Sequence, residues 1–415
     1  MRRRSICTSL SVLLCAVPCL HAQGQPRQQV QLPEGAGKEI VEVMCSQCHS
    51  LNMLTSSGGY THDGWKKLIA SMVSFRSERA DIVTAYLARN FPQKPLPAAV
   101  VIPGSVNVTI REWLVPTLGS RPHDPAVGHD GSIWWTGQYA NVIGRLDPKT
   151  GALREYALKT PQSGPHGLIS DKAGNIWYTA MSKRHVGMLD PISGDIVEYP
   201  LPDTTARGPH TPVFDQKGNL WFTLQSGMVG RIVPGTREVK VVRTPTANTY
   251  PYGIAVNSKG VPWYVDFRGN RVGSIDPVSM EIREYKLPDT AARPRRIAIT
   301  SDDVVWYTDY ARGYLGRFDP TTGAVREWRS PGGPESRPYG IAATGNILWY
   351  SESGVRPNTL VRFDPATAQF QTWTIPSGGG VVRHMMATPN GNLVLALSGV
   401  NRVALVEIDG KRLTR

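Results

Sequence analysis

Cysteine is scarce in this chain, with five in 415 residues. Cys7, Cys15 and Cys19 fall within the first 22 positions, so beyond them only Cys45 and Cys48 remain. One close pair without a second excludes a disulfide-stapled scaffold and a four-cysteine zinc site. After residue 22 there is also no apolar run approaching the roughly 20 residues that span a bilayer. Blocks of five or more Lys or Arg are missing too, although the formal charge is +13, with 46 basic against 33 acidic residues. Basic residues scattered in this way favour a solvated basic surface and argue against nucleic acid as a partner. Charged residues make up only 19% and hydrophobic ones 40%, the balance of a globular chain. What is plentiful is Gly (41), Pro (33) and Trp (11), which suits a protein built from many turns. The length exceeds one ordinary core, so two domains are expected.

Residues 1–22, MRRRSICTSLSVLLCAVPCLHA, join three arginines to a short apolar stretch and a small residue, the layout of a cleaved secretory signal. The mature chain is then expected to begin near Gln23, periplasmic or secreted, without a membrane span and as a monomer. Cleavage takes Arg2, Arg3 and Arg4 with it and leaves the chain basic.

Residues 34–95 carry C-x-x-C-H as Cys45, Cys48 and His49. Two thiols at this spacing can each form a thioether to one vinyl group of a haem, and the adjacent His49 then lies under the iron as proximal ligand. Before the motif, Gly37 opens an amphipathic segment with Ile40, Val41 and Met44 on its inner side. After it, Thr61 caps a second helix with Trp65, and a third begins at Ser77 with Ile82, Val83, Tyr86 and Leu87 at helical spacing. The segment resembles class I cytochromes c, which implies a methionine on the far side of the haem iron. Met72 is the first choice because it lies seven residues past Trp65, on the same face if the helix continues. His62 is the rival, and an open site is the third possibility. Met53 is too near His49 to reach the opposite face. The glycine-started first helix and the tyrosine-bearing last helix resemble the crossed pair of class I cytochromes c. That resemblance implies covalent haem c and electron transfer with a redox partner protein.

A Pro/Ala-rich linker, FPQKPLPAAVVIPG, separates this module from residues 104–415. There RPHD at Arg121, GPHG at Gly164, GPHT at Gly208, YPYG at Tyr250, RPRR at Arg293, RPYG at Arg337 and VRHM at Val382 recur every 42 to 45 residues. Each repeat continues with a turn such as DKAGN, an aromatic strand such as IWYT, an Asp-Pro turn and a closing strand such as LREYAL. Four short strands at this period predict a seven-bladed β-propeller. The last repeat lacks a fourth strand and residues 105–116 form a strand without a blade, so this segment is expected to complete blade seven and close the ring. The fold class is therefore α + β multidomain, a small all-α module followed by an all-β propeller.

Two positions per repeat converge on the channel. The first reads His123, His166, His210, Tyr252, Arg295, Tyr339 and His384, and the second Gly137, Ala180, Leu224, Asp266, Asp309, Glu352 and Ala396. This sorting predicts four histidines facing three carboxylates across the channel, a bipolar site for a small-molecule substrate. The repeat resembles the streptogramin B lyase (virginiamycin B lyase) propeller, with blades of the form PHGI, GxIWFTE, NxIGRI. The resemblance implies a base/acid histidine, a glutamate and Mg2+, and so a C–O lyase as the alternative function. Carried over residue by residue, it points to His166 and Glu352 as catalytic, and His384, from its channel position, is the third catalytic candidate. The chain departs from the pattern, since Ala180, Met181 and Ser182 follow His166 and Tyr339 precedes Glu352.

Overall fold

The computed structural model describes residues 30–47, 51–55, 57, 59–70 and 72–410. The expected leader, Cys48 and His49 lie outside these residues. Seven four-stranded antiparallel sheets account for the chain from residue 108 to residue 408. Blade one runs Pro122–Val127, Ile133–Gly137, Val142–Leu146 and Leu153–Ala157, and blades two to six repeat that order. Blade seven takes Val382–Ala387, Leu393–Leu397 and Arg402–Ile408 from the end of the chain and Val108–Leu114 from its start. The pairing is continuous from Val108 with Ile408 to Leu114 with Arg402, so the closure expected from residues 105–116 is present. It joins the two ends of the ring and removes two open edges.

The repeated residues have distinct packing duties. The turn carboxylate accepts the Trp indole N–H of the following strand, as from Trp177 to Asp171 at 2.8 Å and from Trp221 to Asp215 at 2.9 Å. The third-strand glycine makes room for the aromatic residue opposite. A Cβ on Gly187 would lie 2.1 Å from the Tyr178 ring, and one on Gly230 equally 2.1 Å from Phe222. Gly to Ala in a strand is ordinarily favourable by roughly 0.5–1 kcal/mol. Gly187→Ala is instead expected to destabilise the propeller by about 1–3 kcal/mol through overpacking. A denaturant midpoint measures it, Tyr178→Leu should restore most of the loss, and an unchanged midpoint in the single variant would show that the ring yields freely.

The N-terminal module contains α1 (Lys38–Cys45), α2 (Asn52–Thr55), α3 (His62–Ala70) and α4 (Ser77–Asn90). Its core is Leu32, Val41, Leu54, Trp65, Ile69, Val83, Tyr86 and Leu87. Gly37, with φ of 98°, lets α1 begin against α4, for a Cβ there would meet the Tyr86 Cβ at 2.9 Å. The Tyr86 hydroxyl donates to Pro33 O at 2.6 Å and the Trp65 indole to Phe91 O at 2.9 Å, tying the flanking chain to the helices. Thr61 Oγ1 accepts from Gly64 N at 3.1 Å, the cap expected of it.

Two expectations change. The helix carrying Trp65 stops at Ala70, so Met72 lies beyond it rather than on its face. The reason is a tightened final turn in which Met72 N–H bonds to Ile69 O at 2.9 Å. The Pro/Ala-rich stretch, read as a separating linker, is bound along blade six. Arg356 N–H donates to Pro97 O at 3.0 Å, Thr372 N–H to Ile102 O at 3.0 Å and Ile102 N–H to Thr372 Oγ1 at 2.7 Å. Extended proline-rich chain suits this role, since its free carbonyls accept from a sheet whose edge is otherwise open.

Candidate functional site in the propeller channel

The innermost strand of every blade carries a register shift near its start, as between Pro122 and Pro125, Pro165 and Leu168, and Val382 and His384. A bulge of this kind re-aims side chains. Its freed N–H is satisfied by a second-strand hydroxyl: Gly167 N donates to Thr179 Oγ1 at 2.8 Å, and that hydroxyl donates to His210 O of the next blade at 2.6 Å. Thr136, Thr223, Thr308 and Ser351 make the same blade-to-blade contact.

Six of the seven first-position residues read from the repeats line the channel as a ring. In blade seven Val382 pairs with Leu397 as Pro165 does with Ala180, so the register puts Arg383 at the ring position and His384 one place further on, level with Arg296. His123 and His166 have ring centroids 3.6 Å apart, His166 and His210 3.7 Å, and His210 and Tyr252 3.9 Å. The Tyr252 and Tyr339 hydroxyls are 2.6 Å apart. The Arg295 guanidinium lies 3.8 Å from the Tyr339 ring centroid and 4.2 Å from that of Tyr310. A second layer holds a buried ion pair that the repeat pattern did not reveal. Arg296 reaches across the channel to Asp124 at 2.7 and 3.3 Å and to Thr211 Oγ1 at 2.9 Å. The His123 Nδ1 lies 2.9 Å from Asp124 Oδ1.

Burial, followed by the neighbouring rings and guanidinium groups, holds His123, His166 and His210 well below the usual imidazole range, and His384 is lowered by burial and Arg296. These rings are therefore neutral at ordinary pH. Burial also pushes Asp124 up to about 6 against the pull of Arg296. Burial would raise Tyr339, but Arg295, Arg383 and Arg296 overcome it and bring the phenol down to about 8. Its partner Tyr252 is raised, chiefly by burial. Tyr252 also accepts from Arg295 at 3.2 Å, and either hydroxyl of the pair can donate to the other.

His166 is fully enclosed with its Nδ1 unpartnered, and the half-buried His384 also has an unpartnered Nδ1. Glu352 is buried but does not join them. It accepts from Ser330 Oγ, Gly332 N and Thr359 Oγ1, each at 2.6 Å, and so braces the connection from blade five to the third strand of its own blade. Asp266 likewise accepts from Tyr250 N at 2.8 Å, and Asp309 from Arg312 Nε at 2.6 Å. The carboxylate wall expected across from the histidines is therefore absent. Each acid pairs in register with the proline just ahead of the bulge, as Glu352 does with Pro338, and turns into the adjoining loop, while the bulge sends the ring residue inward.

Among the described residues, His123, Asp124 and His166 bring three ligand atoms within 4.8 Å of one another. Mg2+ fits this set poorly, because it wants an oxygen octahedron and two of these donors are nitrogens. Both Asp124 oxygens are already committed to Arg296. In the N-terminal module, Cys45 closes α1 and packs half-buried against the helical core, as Leu51, Leu68, Val73 and Phe75 also do. His62 opens α3 at the surface, with its side chain 55% exposed.

The virginiamycin B lyase family matches residues 104–331, more than half of the chain. The chain belongs to that family. A solved streptogramin B lyase is similar at 25% identity and a TM-score of 0.67, over 73% of this chain and 98% of the lyase. Virginiamycin B lyase from Staphylococcus aureus is 24% identical, with a TM-score of 0.66 over 72% and 99%. A catalytically inactive histidine-to-alanine variant of that enzyme, solved with quinupristin, gives 23%, 0.66 and the same coverage. These last two likenesses concern the fold. No curated protein sequence matches the chain. All of this similarity is carried by the family's propeller.

Proposed function

We propose that the chain is an exported c-type cytochrome, periplasmic or secreted, whose propeller channel binds a small-molecule substrate or a redox partner. Cys45 and Cys48 would hold haem c by thioethers, His49 would be the proximal ligand and Met72 the distal one. The observation that carries this reading is the position of Cys45. It ends an α1 that starts on a glycine against α4, and so places Cys45, the first residue of the motif, at the edge of a small apolar core. The half-buried apolar side chains at that edge suit a flat, largely apolar macrocycle. When bound, haem supplies one-electron transfer. The chain's own residues anchor it, exclude water with the Trp65 and Tyr86 core, and seat the module on the propeller, where a Cβ on Gly119 would lie 3.3 Å from the Met72 Cα.

Oxidised protein matured in a haem-attaching host is expected to show a weak far-red band from a thioether–iron bond, and to be reduced and reoxidised reversibly. Met72→Ala should abolish that band. If the band survives, or if His62→Ala alters the spectrum instead, Met72 is not the ligand. Failure to take up an electron would end the electron-transfer reading.

Family membership supports a second reading, a C–O lyase of the streptogramin B type acting through His166 and His384 on the propeller face. The bracing role of Glu352 weighs against it. Linearisation of a cyclic depsipeptide that is lost in His166→Ala/His384→Ala would favour this reading.

A further inference from the structure

Charge at the channel mouth is strongly one-sided. Arg121, Arg295, Arg296 and Arg383 all act on Tyr339 or on one another, yet only Arg296 has a carboxylate, Asp124. Among the described residues Arg121 and Arg295 are hydrogen-bonded to phenol oxygens, of Tyr139 and Tyr252, and Arg383 makes no ion pair. Aromatic faces offset part of the charge, Tyr339 and Tyr310 for Arg295 and Tyr139 for Arg121, but half-buried guanidinium groups that meet no anion remain ready to take one. The backbone is strained at the same place. Two places ahead of the ring residue, blades two and three use Gly164 and Gly208, with φ of 57° and 63°. Blades one and seven hold Arg121 at φ 54° and Val381 at φ 110° in the corresponding positions. Side chains in this left-handed region cost of order 1 kcal/mol and cluster at ligand sites. The helical module adjoins the mouth, with the Arg356 guanidinium 5.4 Å from the Tyr60 ring centroid and Arg383 within electrostatic reach of that tyrosine.

We infer that the mouth of the channel binds the oxyanion group, carboxylate or phosphate, of a small diffusible molecule, held by Arg121, Arg295 and Arg383 in front of Tyr339. The unpartnered Nδ1 atoms of His166 and His384 supply neutral hydrogen-bonding positions beyond it. Guanidinium forks match both oxyanions in bidentate geometry. The same charge disfavours a divalent cation, which explains how this channel departs from the Mg2+ site that the lyase resemblance implied. The inference rests on the channel as the binding site of the proposed function and is independent of the haem.

Calorimetric titration of the full chain with succinate and with inorganic phosphate tests it. At least one should bind with Kd below about 1 mM at low salt and weaken as salt rises. Arg383→Gln and Arg295→Gln should each weaken binding about tenfold or more, with Arg383→Lys losing less. The ultraviolet titration of Tyr339, identified by its loss in Tyr339→Phe, should move to higher pH when the anion is bound, a readout that a purely structural arginine would leave unmoved. Cys45→Ser/Cys48→Ser should bind equally well. Binding confined to that haem-free variant would assign the arginines to the haem's own propionates and overturn the inference. Absence of binding by the parent protein, or unchanged affinity in both glutamine variants, would overturn it as well. A colourless parent that still binds the anion would refute the haem reading alone.

Discussion

Arg296→Met is expected to cost the folded propeller roughly 3–5 kcal/mol, because it leaves Asp124 as an uncompensated charge in the closed channel. Both partners are enclosed, Arg296 at 1% and Asp124 at 0% exposure, and the pair spans the ring from blade five to blade one. Asp124→Leu in the same chain should recover most of the loss, since exchanging a buried ion pair for apolar residues of similar volume is often neutral. Denaturant unfolding of the parent, the single and the double variant measures this directly. A single variant within about 1 kcal/mol of the parent would mean that the aspartate is satisfied without the arginine or is neutral.

The second large effect is a loss of stability in mild acid. His123, His166 and His210 have folded pKa values well below that of a free imidazole, so below about pH 6.5 the unfolded chain binds protons that the folded chain does not. Their contribution is complete above pH 6.5 and falls as the pH drops toward their folded values, by up to about 1.4 kcal/mol per pH unit for each ring. Asp124 acts in the opposite sense. Raised to about 6, it binds its proton more tightly when folded, so between its unfolded value of 3.8 and 6 it offsets about one histidine. Thermal midpoints from pH 8 to pH 4.5 should therefore decline steeply below 6.5, and less steeply in His166→Gln. A flat profile would show that the stacked rings accept protons in the folded state.

Much of the propeller was legible because its features recur. The Trp-bearing strands, the Asp-Pro turns and the unpaired strand at residues 105–116 follow from a period of one blade, and six of the seven ring residues follow from one position within it. In blade seven, which lacks the proline, the reading slipped by one residue from Arg383 to His384. Asp124 and Arg296 were not legible as a pair. They stand 172 residues apart, and each reads as a local variation of its own blade, PHD where blade two has PHG and PRR where blade four has PYG. The direction of Asp266, Asp309 and Glu352 was misread for a different reason. Alternation along a strand fixes a face only in an unbroken ladder, and a bulge at each inner strand separates them from the ring. Met72 shows the same limit in a helix, where a face extrapolated seven residues from Trp65 requires a helix that ends at Ala70.

The most direct measurement of the proposed function is haem retention after denaturation of protein matured in a haem-attaching host. A haem stain that stays with the unfolded chain, and is weakened or lost in Cys48→Ser, is the expected result. A chain that comes out colourless, or releases its haem on unfolding, would contradict covalent attachment at Cys45 and Cys48.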